Sequence, residues 1–156
     1  MKKIKEAAAE FLSCRRIAVT GVSRRPKDHG SNSVFRRLRD RGYEVFAVNP
    51  NADEVEGVRS YHDLKSIPGG VDAVVIATSP EHADGTMREC VELGIIRVWM
   101  HRGYGQGSVS VSAAEYGRAH GVTVIAGGCP LMFGPTADFG HKVMRVFLGS
   151  HIPKTV

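Results

Sequence analysis

The stretch Gly21-Val22-Ser23-Arg24-Arg25-Pro26-Lys27-Asp28-His29-Gly30 concentrates more chemistry than any other segment of this 156-residue chain. It joins an apolar run to a helical pattern, and backbone N–H groups at such a helix start attract phosphate. Ser23 adds a hydroxyl donor, while Arg24, Arg25 and Lys27 add the charge that suits a multiply anionic ligand. The spacing is not the dinucleotide fingerprint G-x-G-x-x-G, because Val-Ser-Arg-Arg follows Gly21, and the GxxxxGK[ST] loop is also missing. A second apolar run ends in Val48-Asn49-Pro50-Asn51, where an NAD site sets an Asp or Glu against the ribose. An adenosine bearing a ribose phosphate fits an end without that acid.

Three further segments place polar groups after apolar runs. Ala77-Thr78-Ser79-Pro80-Glu81-His82 offers Thr78 and Ser79 to a ligand, although Ser79 also reads as a helix cap followed by Pro80 at the first helical position. Met100-His101-Arg102-Gly103 supplies two ligand candidates, His101 and Arg102, beside glycines (Gly103, Gly105, Gly107) that let a ligand approach the backbone. Gly127-Gly128-Cys129-Pro130 forms a tight turn in which Cys129 is either a small buried hydrophobe or a thiol facing the ligand.

Other chemistries fail on spacing. There is no GxSxG elbow, no HExxH and no Cys/His pattern for zinc, so neither a catalytic set nor a metal site is expected. Three cysteines, odd in number and far apart, suit a reducing cytoplasm. The net charge of +5 is compatible with nucleic acid, an acidic surface or a phosphorylated small molecule. Arg36, Arg37, Arg39 and Arg41 surround apolar helix positions without an aromatic platform, which reads as a solvated face and not as a nucleic-acid site. No stretch reads as a membrane span.

The elements that position these segments alternate. Strands are expected at Ile17–Val22, Tyr43–Val48, Val71–Thr78, Ile95–Met100 and Val122–Ala126. Helices are expected over residues 1–14, with Ile4, Ala8, Phe11 and Leu12 on one side, and from Ser31, Pro80 and Ser108, with a last one over residues 135–149 carrying Val143, Met144 and Phe147 on one side. Asn51–Gly70 reads as polar and turn-rich, with a short helix near Asp63–Ser66. The pattern predicts a single α/β domain over residues 1–156: a Rossmann-like, doubly wound parallel sheet of about five strands in the order 3-2-1-4-5, helices on both faces. Ligands bind such sheets beyond the carboxyl strand ends, here between the first and fourth strands.

Gly21-Val22-Ser23-Arg24 with Pro26, Gly42-Tyr43-Glu44-Val45 leading to Val48-Asn49-Pro50, and Gly128-Cys129-Pro130 together resemble the small stand-alone CoA-binding domain proteins, which are similar to the N-terminal domain of the succinyl-CoA synthetase alpha subunit. The resemblance implies that Val22, Ser23, Arg24 and Arg25 hold the CoA phosphates and that Asn49 and Pro50 mark the nucleotide. It also implies that Thr78, Ser79 and Pro80 line the path of adenosine and pantetheine, with His101, Arg102 and Gly103 along the fourth-strand loop. Thr136-Ala137-Asp138-Phe139-Gly140-His141-Lys142 is similar to a subgroup of these proteins and has no assigned chemistry. The expectation is a CoA or acyl-CoA binding protein without catalysis of its own, whose homo-oligomeric state stays open, and whose Cys129 forms a mixed disulfide with CoA under oxidation if the CoA thiol reaches it. The alternatives are an NADP-binding sensor or oxidoreductase, and an interaction subunit of a multi-part acyl-CoA ligase.

Overall fold

The computed structural model describes residues 2–25, 30–103, 107–134, 137–149 and 152–156. Its elements run α1 (Ile4–Leu12), β1 (Arg16–Thr20), α2 (Gly30–Asp40), β2 (Glu44–Val48), β3 (Glu54–Val55), β4 (Val58–Tyr61), β5 (Ala73–Ile76), α3 (Pro80–Glu92), β6 (Arg97–Met100), α4 (Val111–Ala119), β7 (Thr123–Ala126) and α5 (Phe139–Phe147), with a 3-10 turn at Pro130–Met132 before α5. Seven strands form one sheet in the order β3-β4-β2-β1-β5-β6-β7. All pairs are parallel except β3 with β4.

Strand count and order therefore differ from the five-strand, 3-2-1-4-5 expectation. The segment from Val71 lies on the other side of β1, with Val19 opposite Val75. The place beside β2 belongs to β4, in the region read as polar and turn-rich. Only Ser60 is buried in β4, so the strand lacks the apolar run that betrays its neighbours. The order in which strands are added reverses between β1 and β5, which remain parallel, and that is where the crevice opens. Residues 63–66 form turns and no helix: Asp63 accepts hydrogen bonds from the backbone and hydroxyl of Ser66.

Two apolar layers sandwich the sheet. One packs α1 and α2 on β1 and β6 around Trp99, which is fully buried, meets Phe11 edge-on at 5.4 Å and donates its indole N–H to Gly127 O. The other packs α3 and α4 on β5, β6 and β7 through Met87, Cys90, Ala113 and Val124. Ser110, not Ser108, caps α4, accepting from the Ala113 N–H. Asp84 selects it from three alternating serines by accepting from both Ser110 and Ser112.

The last helix starts at Phe139, capped by Asp138, which accepts from the His141 backbone and from Arg37 on α2. Residues 135 and 136 lie outside the described ones. Its packed side is Met144 and Leu148; Phe147, expected to pack beside Val143 and Met144, is 77% exposed. No helix among the described residues is long and apolar enough to cross a membrane.

Candidate functional site

The crevice is built around Gly21. This residue has φ +76 and donates its N–H to Val48 O at the end of β2. On its other side the β5 loop passes so closely that a Cβ at Gly21 would stand 2.7 Å from Ala77 O. Only a residue without a side chain permits this crossing of three strand ends. Thr20 Oγ1 reinforces it by accepting the Ala77 N–H.

Beyond Gly21 the loop is held by a side chain that sequence reading did not single out. Asn32, fully buried in the first turn of α2, accepts the Ser23 N–H at 2.8 Å and donates back to Ser23 O at 2.7 Å. Its amide also donates to Glu56 Oε1, which receives Arg36 as well. Glu56 sits in the β3–β4 turn with φ +52, an uncommon conformation for a residue with a side chain. Ser31 adds a hydrogen bond to Gly21 O, and Ser23 Oγ accepts the Arg25 N–H. The result is a loop whose shape is set by internal bonds, with Arg24 and Arg25 exposed and outside every ion pair among the described residues. Lys27 lies outside the described residues.

At the end of β2, Asn49 ties the two loops together. Its amide donates to Val22 O, and its oxygen accepts the Asn51 N–H. A cavity of about 630 Å³ opens here, lined by Gly21, Asn49, Pro50, Thr78, Lys65 and Arg88 among others. A larger groove of about 740 Å³ lies between α1 and the amino ends of β1 and β2, at Arg15, Gly42 and Tyr43. Only the smaller of the two lies at the carboxyl strand ends, where sheets of this type take their ligands.

The β5 and β6 ends complete the edge. Thr78 Oγ1 is buried without a hydrogen-bond partner. Ser79 occupies the cap position of α3, but its hydroxyl makes no cap bond and serves the carboxylate of Glu81 instead. Pro80 opens the helix. Arg102 donates its N–H to Gly128 O, and its Nε is buried without a partner. The His101 ring turns to the opposite face, near Gly30 and Gly103; burial first, and the charge of His141 second, push its pKa down to about 4. A neutral imidazole therefore stands beside the start of α2. Cys129 is 2% exposed and belongs to the core around Trp99; burial raises its thiol to about 12. Of the two readings of that cysteine, the geometry selects the buried hydrophobe, and the mixed disulfide with CoA loses its basis.

The sequence profile of the CoA binding domain matches residues 15–135. The chain belongs to the CoA-binding domain family. Among its relatives, the uncharacterized protein YneT of Bacillus subtilis is 36% identical over 115 residues, covering 74% of this chain and 82% of that protein. The acetate–CoA ligase (ADP-forming) II subunit alpha of Pyrococcus furiosus is 40% identical over 86 residues, 54% of this chain. That stretch spans only 19% of the ligase subunit. A hypothetical protein from Pyrococcus horikoshii shares the fold with a TM-score of 0.73 at 26% identity, covering 81% of this chain and 86% of its own.

Within this CoA-binding domain, four of the residues singled out from sequence line one cavity: Gly21, Asn49, Pro50 and Thr78. Val22 is fully buried and serves the loop through its carbonyl. Ser23, Arg24 and Arg25 follow on the loop, and Ser79 and Pro80 on α3. His101, Arg102 and Gly103 stand farther along the edge, beyond β5, while Cys129 faces inward. Asn32 and Glu56 were missed; a Ser31-Asn32 pair opening the helix after a phosphate-type loop was the available signal for the first.

Proposed function

We propose that the chain binds CoA or an acyl-CoA along the carboxyl edge of its sheet and performs no chemistry alone. The observation that carries this reading is the loop at Gly21–Arg25, shaped by Asn32 and presenting two arginines outside every ion pair among the described residues, beside the cavity where the strand order switches at β1 and β5. Adenosine lies at Asn49–Pro50, where β2 itself ends without an acid. The diphosphate lies on Ser23, Arg24 and Arg25, and the pantetheine arm crosses Thr78 toward β6. The N–H of Ser23 is already taken by Asn32, so the arginines carry much of the attraction, which makes binding salt-dependent.

Calorimetry with CoA, dephospho-CoA, NADP, NAD and ATP tests the reading. CoA binds tightest, and Arg24→Gln with Arg25→Gln weakens it by roughly one to two orders of magnitude. NADP binding tighter than CoA defeats the reading in favour of a dinucleotide sensor or oxidoreductase.

A second reading, one part of a multi-part acyl-CoA ligase, is favoured by the 40% identity to a fraction of a ligase alpha subunit. Co-purification from the source cell with a second ligase polypeptide, and CoA-dependent ATP turnover by the pair alone, separates it from the first.

A further inference from the structure

Arg102 is held as a prepared cation. Its backbone is fixed by the bond to Gly128 O and the isolated bridge between these residues. Its side-chain stem lies against the bare face of Gly107, where a Cβ would come within 2.6 Å of Arg102 Cγ. Its Nε is buried and unpartnered, and no carboxylate among the described residues pairs with its guanidinium. Arg16, Arg36 and Arg37, by contrast, each reach an acid at 2.6–2.7 Å. The other arginine with a buried unpartnered Nε, Arg97, is at the amino end of the same strand, away from the ligand edge.

Thr78 Oγ1 is the second open group on this edge. The register pairs Ile76 with Met100, so Thr78 and Arg102 each stand two residues past the last paired positions of adjacent strands. A buried donor without an acceptor costs free energy that an incoming ligand recovers by supplying one. Two such groups on neighbouring strand ends mark a place where a ligand's own polar atoms complete the structure.

Which ligand atoms reach it follows from the strand order. Resting on the CoA reading above, the diphosphate sits at the β1 loop and the adenosine on the β2 side. Arg102 is two strands the other way, about 10 Å from β1 at the usual strand spacing. The thiol end of CoA and its acyl group occupy that side. A neutral acyl chain gives a guanidinium nothing, whereas a terminal carboxylate matches its planar fork. We propose that Arg102, with Thr78 beside it, selects acyl-CoA thioesters whose acyl chain ends in a carboxylate. Thr78 donates to a carbonyl of the arm, and Arg102 takes the distal carboxylate.

Calorimetry on the full chain compares matched pairs: malonyl-CoA against butyryl-CoA, and glutaryl-CoA against hexanoyl-CoA. In each pair the acidic thioester binds roughly tenfold tighter or more, the scale of a charge-assisted hydrogen bond. Arg102→Gln brings that ratio to about one, and Arg102→Lys keeps part of it, because the charge remains without the fork. A wild-type ratio near one overturns the inference, as does a ratio that survives Arg102→Gln. The wild-type ratio decides even where a variant fails to fold. If every CoA thioester binds with equal affinity, only this inference falls; if none binds, the CoA reading itself falls.

Discussion

Replacing Gly21 by alanine tests the crossing on which the crevice depends. Two costs add. Alanine at φ +76 enters the left-handed region, which disfavours a side chain by about 1 kcal/mol. The new Cβ would also lie 2.7 Å from Ala77 O, 3.0 Å from Ala77 C and 3.1 Å from Thr78 N. All three are backbone atoms, so no rotamer change relieves the overlap. The β5 loop must move, and with it the Thr20–Ala77 hydrogen bond and the position of Thr78. Together these effects cost about 2–4 kcal/mol, in the range of backbone strain plus one disrupted buried bond. For a chain of this length that corresponds to a fall in Tm of roughly 5–15 °C. Urea denaturation gives the stability change. Calorimetry with CoA, at a temperature where the variant stays folded, gives the effect on the site, expected as a loss of at least about tenfold. A Gly21→Ala protein that melts within about 2 °C of wild type and binds CoA equally well would show that the loops tolerate separation and that the crossing does not organise the site.

Asn32→Ala leaves the Ser23 N–H, the Ser23 carbonyl and part of the Glu56 carboxylate without partners, so it destabilises the fold by about 3 kcal/mol and weakens CoA binding beyond what Glu56→Gln does. Equal, small effects from both variants in urea melts and calorimetry would count against the clamp. With its thiol raised to about 12, Cys129 is ionised in only about one molecule in ten thousand at pH 8. Native protein treated with oxidant and CoA should therefore show no Cys129 adduct by peptide mass spectrometry, and an adduct at that residue refutes the inward placement. His101 gives a pH signature. The folded chain keeps this imidazole neutral down to about pH 4, while the unfolded chain protonates it near 6.5. Between these values the unfolded state binds more protons, so stability falls as pH falls, by up to roughly 3 kcal/mol over the window. Urea melts from pH 7 to 4.5 should show this loss in wild type and a flatter profile in His101→Gln; an identical slope in both assigns the acid sensitivity elsewhere.

The central strands and the starts of α2 and α3 were legible because their signals are local. Ile17–Val19 and Val74–Ile76 are buried on both faces and read as continuous apolar runs. Ser79-Pro80-Glu81 marks a helix start, although the serine acts through position and not through a cap bond. What failed was non-local. The crossover rule fixes handedness, not which side of β1 a later strand joins, so placing Val71–Thr78 beside β2 satisfied every local test. Four residues of β4, one of them buried, decided otherwise. Ser108 reads as the cap of α4, but Ser110 holds it, and Asp84, on another helix, accepts from Ser110 and Ser112. The Asn32–Glu56 contact joins residues 24 apart through a turn that puts a glutamate where the backbone favours glycine.

The edge of the sheet is unevenly finished, and the unevenness has a consequence. From β2 to β1 the backbone groups of the loops are bonded from within: Asn49 bonds Val22, Gly21 bonds Val48, and Asn32 bonds both sides of Ser23. That half is already in shape before a ligand arrives, so on the CoA reading proposed above little ordering entropy is lost when phosphate and adenosine settle there. From β5 to β6 the groups remain open, at Thr78 and Arg102. A rigid, self-satisfied half supplies affinity that is common to every ligand with the same nucleotide end. An open half adds binding free energy only when a ligand brings the matching acceptors, and it leaves a guanidinium unpaired when the ligand does not. Discrimination is a difference between affinities, so it resides in the second half. Substitutions around Asn32 should accordingly move all CoA ligands together, while those at Arg102 should move them apart.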